Sequence, residues 1–226
     1  MDWPLAIDRN RQALRPIIAA LFALVGAAMG GKALTLPRHV HAAVMMVLRP
    51  AESAVRRLIV MAARGLVLKP CASRPLPAGL GGFASDSASK TPSFCLFDPM
   101  KTFSLDDYDN NALPRFSFHS GDDAEVHWRQ SVPQDEPVNA ALLFARLRAI
   151  RSALKDLPRQ AKRLARWQAR RDLLLKIRRP YKPMRMSIFR PGLPPGWRQR
   201  SIHEVDDVLR ECHGLAIYSV NGPDTG

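Results

Sequence analysis

Two sets of side chains in this 226-residue chain have the types that acid–base or metal chemistry uses. His203 and Asp207 stand one helical turn apart, and His213 follows on the same polar side. An imidazole beside a carboxylate can relay a proton, and two imidazoles with a carboxylate can ligate a divalent cation. His119, Asp122, Asp123, Glu125 and His127 form a looser set of the same types. Neither set meets a recognised ligand spacing, and a solvated polar face accounts for both. An enzyme or metal site built on His203, Asp207 and His213 is therefore a remote alternative. The three cysteines, Cys71, Cys95 and Cys212, are odd in number and widely spaced. That pattern suits separate reduced thiols better than a disulfide framework or a zinc site. No glycine-rich phosphate loop, GxSxG or HExxH motif occurs. The expectation is a protein without catalytic residues, metal or cofactor.

The stronger signal is charge. The net formal charge is +14, and it alternates along the chain. Residues 1–82 sum to +8, residues 83–137 to −6, residues 138–200 to +16 and residues 201–226 to −4. The basic block supplies the candidate contact residues: Arg146, Arg148, Arg151, Lys155, Arg159, Lys162, Arg163, Arg166, Arg170 and Arg171. Only Asp156 and Asp172 interrupt it. A solvated helix normally mixes both signs, because like charges at i,i+4 repel. This block calls for an anionic partner. An anionic membrane surface or a membrane protein is the first expectation. Nucleic acid is the alternative, with Trp167, Tyr181, Phe189 and Trp197 available for stacking. Internal pairing of the acidic residues 83–137 with residues 146–200 is the third.

The elements that would carry this charge are mainly helical. Leu143, Leu147, Ile150, Leu154, Leu157, Ala161 and Leu164 are spaced alternately by four and three, which predicts an apolar stripe along one helix. Pro158 falls inside the stripe, so residues 138–179 form one kinked helix or two, with Asp156 near the second start. Five prolines between 180 and 196 predict an extended basic linker to residue 200. Ser201 to Glu204 has the form of a capping box opening a short helix within residues 201–226. Cys212 lies on its apolar face.

Residues 1–68 form an apolar helical region. The run 17–31, IIAALFALVGAAMGG, carries no charge. Starting at Pro16 in a first turn and continuing to residue 36, it is a candidate membrane anchor. A cleaved signal peptide or a core helix of the same length are the alternatives. Residues 51–68 then place Ser53, Arg56, Arg57 and Arg64 on one face, the pattern of a helix lying in a membrane interface or packed on its neighbour. Residues 69–137 read as linker followed by an acidic, irregular region.

Together these readings give a mainly α protein. An N-terminal helical hairpin, a candidate membrane anchor, precedes the irregular acidic middle. A long basic amphipathic helix or helix pair and a short C-terminal helix follow, with substantial disorder. The expected localisation is at a membrane, with the basic half in the cytoplasm.

Overall fold

The computed structural model describes residues 2–29, 35–68, 93–99, 133, 135–176 and 187–221. Among these residues the fold is mainly helical: α1 (Trp3–Met29), α2 (Arg38–Ala63), α3 (Ala141–Lys155), α4 (Leu157–Lys176) and α5 (Glu204–Asn221). Two three-residue strands, β1 (Thr35–Pro37) and β2 (Pro137–Asn139), pair antiparallel with Leu36 opposite Val138. They hold the start of α2 beside the start of α3. Arg38 and Glu136 reinforce that junction with a 2.6 Å ion pair.

α2 is the hub, packed on α1, α3, α4 and α5. Every residue from 50 to 61 is buried, whichever face of the helix it occupies. A helix enclosed on all sides normally has apolar residues all round. This one encloses Glu52, Ser53, Arg56 and Arg57 instead. Of the two readings of this segment, packing within the protein is the one found: Ser53, Arg56 and Arg57 point inward, where other segments satisfy them, while Arg64 is exposed beyond the helix end.

α2 also runs through Pro50 rather than stopping there. Proline lacks the N–H that would bond the carbonyl four residues back. That carbonyl belongs to Met46, and Arg198 Nη2 donates to it at 2.7 Å. The loop before α5 closes over the same place. Ser53 Oγ donates to the Pro195 carbonyl at 2.6 Å. Gly196, at φ +82°, lies so close that a Cβ there would meet the Pro50 backbone nitrogen at 2.5 Å. The proline-rich linker therefore seats residues 194–198 on the break in α2.

α1 begins at Trp3, thirteen residues before the expected start, and Pro16 lies inside it. Asp2 caps it: Oδ1 accepts from the Leu5 N–H at 3.1 Å. Leu14, Ile17, Ile18, Leu21 and Val25 are buried, while Ala19, Ala20, Ala23, Leu24, Gly26 and Ala27 are exposed, so only one side of the apolar run faces the core. Among the described residues no helix is long and apolar enough to cross a membrane, so the structure lends the anchor no support. Residues 30–34 of the candidate span lie outside the described residues.

α3 and α4 meet at Asp156, whose Oδ1 accepts from the Arg159 N–H at 3.1 Å. Pro158 then falls in the first turn of α4, where its missing donor costs nothing. At the end of α3, Arg11 donates to the Leu154 and Lys155 carbonyls at 2.8 and 2.9 Å. A cation is favourable at that negative helix end. All seven residues of the 143–164 stripe are buried within the same chain.

Candidate anionic contact face and buried arginine network

Burying an arginine without a partner costs several kcal/mol, so each enclosed guanidinium on α2 should be matched. Arg57 is 1% exposed and forms a two-pronged pair with Asp98, also 1% exposed, at 3.0 and 2.7 Å. It also donates to the Ser53 carbonyl at 2.9 Å and faces His213 Nδ1 at 3.4 Å. Phe189 covers it, with its ring centroid 4.8 Å from the guanidinium carbon. Arg56 reaches Glu52 at 3.4 Å and Asp98 at 3.6 Å, and donates to the Cys95 carbonyl at 3.1 Å. Arg146 comes in from α3 and grips both oxygens of Glu52 at 2.9 and 2.8 Å. Among the described residues no buried side-chain nitrogen or oxygen lacks a hydrogen-bond partner.

Charge and burial tune these groups in opposite senses. Burial lowers the Arg56 pKa against the raising influence of Glu52 and Asp98. The hydrogen bond to Glu52 raises that of Arg146. Burial, then the adjacent Arg57 charge, lowers His213 below the ordinary histidine value. Both act against adding a proton to its ring.

The segment 93–99 has irregular backbone, as expected for the middle region, but it is an integral part of the core. Phe94, Leu96 and Asp98 are buried. Arg163 on α4 donates to the Phe94 carbonyl at 2.7 Å. Asp98 N–H donates to the Ile188 carbonyl at 3.3 Å. Glu52 and Asp98 went unnoticed in the sequence because their signal is small. It consists of a Glu–Arg pair at i,i+4 and one acid within the apolar string FCLFDP.

The ten basic candidates divide into two groups. Arg146 is turned inward to Glu52, and Arg163 is tied to Phe94. Arg151 lies over the Phe22 ring at 4.7 Å, while Arg171 pairs with Asp172 at 2.8 Å. The other six, Arg148, Lys155, Arg159, Lys162, Arg166 and Arg170, are exposed and have no carboxylate partner among the described residues. Four of them recur on α4 at spacings of three, four and four residues, making a row about 16 Å long at the helical rise. α4's apolar side faces the protein, so the row is held by a buried stripe and points outward.

Described acids from the middle region pair elsewhere. Asp98 takes Arg56 and Arg57, Glu136 takes Arg38, and Asp135 contacts His39. The acids of residues 101–132 lie outside the described residues, as does the set from His119 to His127.

His203, Asp207 and His213 are not gathered into one site. His203 Nδ1 accepts from the Val205 N–H at 3.1 Å, capping α5. Asp207 is exposed beside Arg210 at 3.5 Å. His213 sits ten residues beyond His203, about 15 Å at the helical rise, against Arg57 and Trp197. The capping box is also displaced by two residues. Ser201 does not cap; instead Asp206 Oδ2 reaches back to the Ile202 and His203 N–H groups at 3.0 and 3.2 Å. Burial works to raise the Asp206 pKa, but these bonds and Arg198 outweigh it and lower the value. Cys212 is buried, and desolvation pushes its thiol pKa well above the ordinary range. No group of three or more His, Cys, Asp or Glu among the described residues is placed to hold a metal ion.

Comparisons with protein-family models, with curated proteins and with solved structures each found no match to this chain.

Proposed function

We propose that this is a non-enzymatic docking protein whose α3–α4 outer face contacts an anionic membrane surface. The observation that carries the reading is the set of six exposed cations whose charged groups engage no described acid, carbonyl or ring, unlike Arg151 on Phe22 and Arg163 on Phe94. They stand on a helix pair whose apolar stripe is already buried. Such a face gains by neutralisation, at about 1 kcal/mol per Lys or Arg near an anionic lipid surface. With the stripe turned inward, contact is by charge at the headgroup layer rather than by insertion. Leu173, Leu174 and Leu175 at the far end of α4 are each more than 40% exposed and offer a small apolar contact beside Arg170 and Lys176.

A second reading, nucleic acid, is favoured by one feature. Four of the six cations are arginines, whose planar fork suits phosphate oxygens, and three of them stand in one row along α4.

Co-sedimentation of the full chain with vesicles tests the first reading. Vesicles rich in phosphatidylserine should pellet the protein, and neutral phosphatidylcholine vesicles should not. Raising salt should release it. Equal partition to both vesicle types rejects the proposal. Retention by duplex or single-stranded nucleic acid, with affinity falling steeply as salt rises, would establish the second reading instead.

A further inference from the structure

A separate concavity lies where α2, α3, the 93–99 segment and the loop before α5 meet. It is a cleft of about 710 Å³, within the usual size of small-molecule sites. Its chemistry differs from that of the outer face. Among the described residues Arg49, Arg56, Arg146 and Arg190 line it, with Glu52 as the one carboxylate. The described lining therefore carries an excess of three positive charges.

Its arginines perform two different tasks. Arg56 and Arg146 are fixed on Glu52, which holds their guanidinium planes in place. Arg49 makes no polar contact among the described residues, and Arg190 uses only Nε, donating to the Leu193 carbonyl at 2.7 Å. The Arg49 guanidinium and the two Nη groups of Arg190 remain as donors at a concave, positively charged site. Phe94, Leu142 and Ala149 add apolar wall, and Leu142 is 74% exposed there.

We propose that this cleft binds a small organic phosphate monoester. Arg49 and Arg190 hold the phosphate, and the apolar wall holds the rest of the molecule. Charge selects the class. A phosphate monoester carries about −1.5 to −2 at neutral pH, which offsets half or more of an excess of three, whereas a monocarboxylate leaves most of it. Shape selects the source: a concave cleft encloses a small molecule, while the convex outer face of α4 meets an extended surface. The inference does not depend on the docking role of that outer face.

Titration calorimetry of the full chain with phenyl phosphate tests it, with benzoate as the single-charge comparison. Saturable binding of phenyl phosphate, and at least about tenfold weaker binding of benzoate, is expected. R49A/R190A should weaken phenyl phosphate binding at least about tenfold. Both side chains lie outside the Glu52 and Asp98 network, so the variant should melt as the parent does. A second readout uses Cys95, which is exposed and lines the same cleft. In a Cys71→Ser background, phenyl phosphate should slow its alkylation. Unchanged affinity in the double variant overturns the proposal, as does the absence of saturable binding at millimolar probe. A variant that loses binding to phosphatidic acid vesicles while keeping phenyl phosphate binding would assign the arginines to lipid headgroups and overturn it equally.

Discussion

α2 and α4 pack against each other, and both are rich in arginine, yet their guanidinium groups have opposite surroundings. Those of Arg56 and Arg57 are enclosed, bonded to Glu52 and Asp98 and roofed by aromatic rings. Those of Arg159, Arg166 and Arg170 are exposed and form no ion pair with a described acid. Residue type and helical spacing are the same; what differs is the supply of carboxylates. Where an acid and backbone carbonyls are within reach, arginine serves as a cross-link between segments distant in sequence. Where none is, it remains as unmatched surface charge. Substitutions should therefore be severe on α2 and nearly silent for folding on α4.

The largest effect is expected at Arg57 and Asp98. Removing one member of a fully enclosed pair leaves the other charge buried and alone. Arg57→Ala or Asp98→Ala should each lower stability by about 3–5 kcal/mol in chemical denaturation. Replacing both by apolar residues, R57M/D98L, should cost much less than the two single changes together. A loss below about 1 kcal/mol in either single variant would mean that water reaches the pair, contradicting its enclosure.

A smaller cost follows from the seating of the loop on α2. Gly196 has both a positive φ and Pro50 within contact of any added carbon, whereas Gly192, at φ +77°, has open space. Gly192→Ala should cost about 1 kcal/mol from backbone conformation alone, and Gly196→Ala about 1–3 kcal/mol more from the steric conflict. Equal melting temperatures for the two variants would show that the loop is not held against Pro50.

Acid sensitivity should come from α5, whose His213 faces Arg57 of α2. The folded state disfavours protonated His213, so below the unfolded-state pKa near 6.5 the unfolded chain binds more protons at this site. Its contribution is complete above that value and declines as pH falls toward the lowered folded pKa. His213→Gln should flatten the stability profile between neutral pH and about pH 5. Asp206, also lowered when folded, loses its contribution only at more acidic pH, as it protonates. An unchanged slope in His213→Gln would remove Arg57 and burial as influences on this ring.

Much of the fold could be read from the sequence. The four-three spacing from Leu143 to Leu164 predicted the buried side of α3 and α4, and Pro158 with Asp156 predicted the junction. The interior charge could not be read in the same way. Ser53, Arg56 and Arg57 share a polar face, and periodicity says only that such a face needs a polar environment. Water, lipid headgroups and a buried Asp98 all meet that need. Asp98 lies 41 residues from Arg57, beyond any local pattern. Pro50 is illegible for a related reason: proline normally ends a helix, but Arg198, 152 residues away from Met46, satisfies the carbonyl it leaves free. The candidate outer face was legible as a list of cations, though not as a division into six exposed groups and four engaged ones. That division depends on which acids and rings the fold brings to α3 and α4.

The smallest folding effect and the clearest functional one should coincide on α4. The side chains of Arg159, Arg166 and Arg170 pair with no described acid, and each repels its neighbours along the helix. The triple variant R159Q/R166Q/R170Q should keep its stability within about 0.5 kcal/mol of the parent, or gain slightly as repulsion is relieved. Its helix content should be unchanged, because glutamine matches arginine closely in helix propensity. Binding to phosphatidylserine vesicles should nonetheless drop by about two orders of magnitude, at roughly 1 kcal/mol per charge removed. The same three changes at Arg56, Arg57 and Arg146 should unfold the chain before any binding can be measured. A triple α4 variant that binds as well as the parent would leave the outer row without a docking role. One that loses several kcal/mol would show that acids from residues 101–132 already cover it.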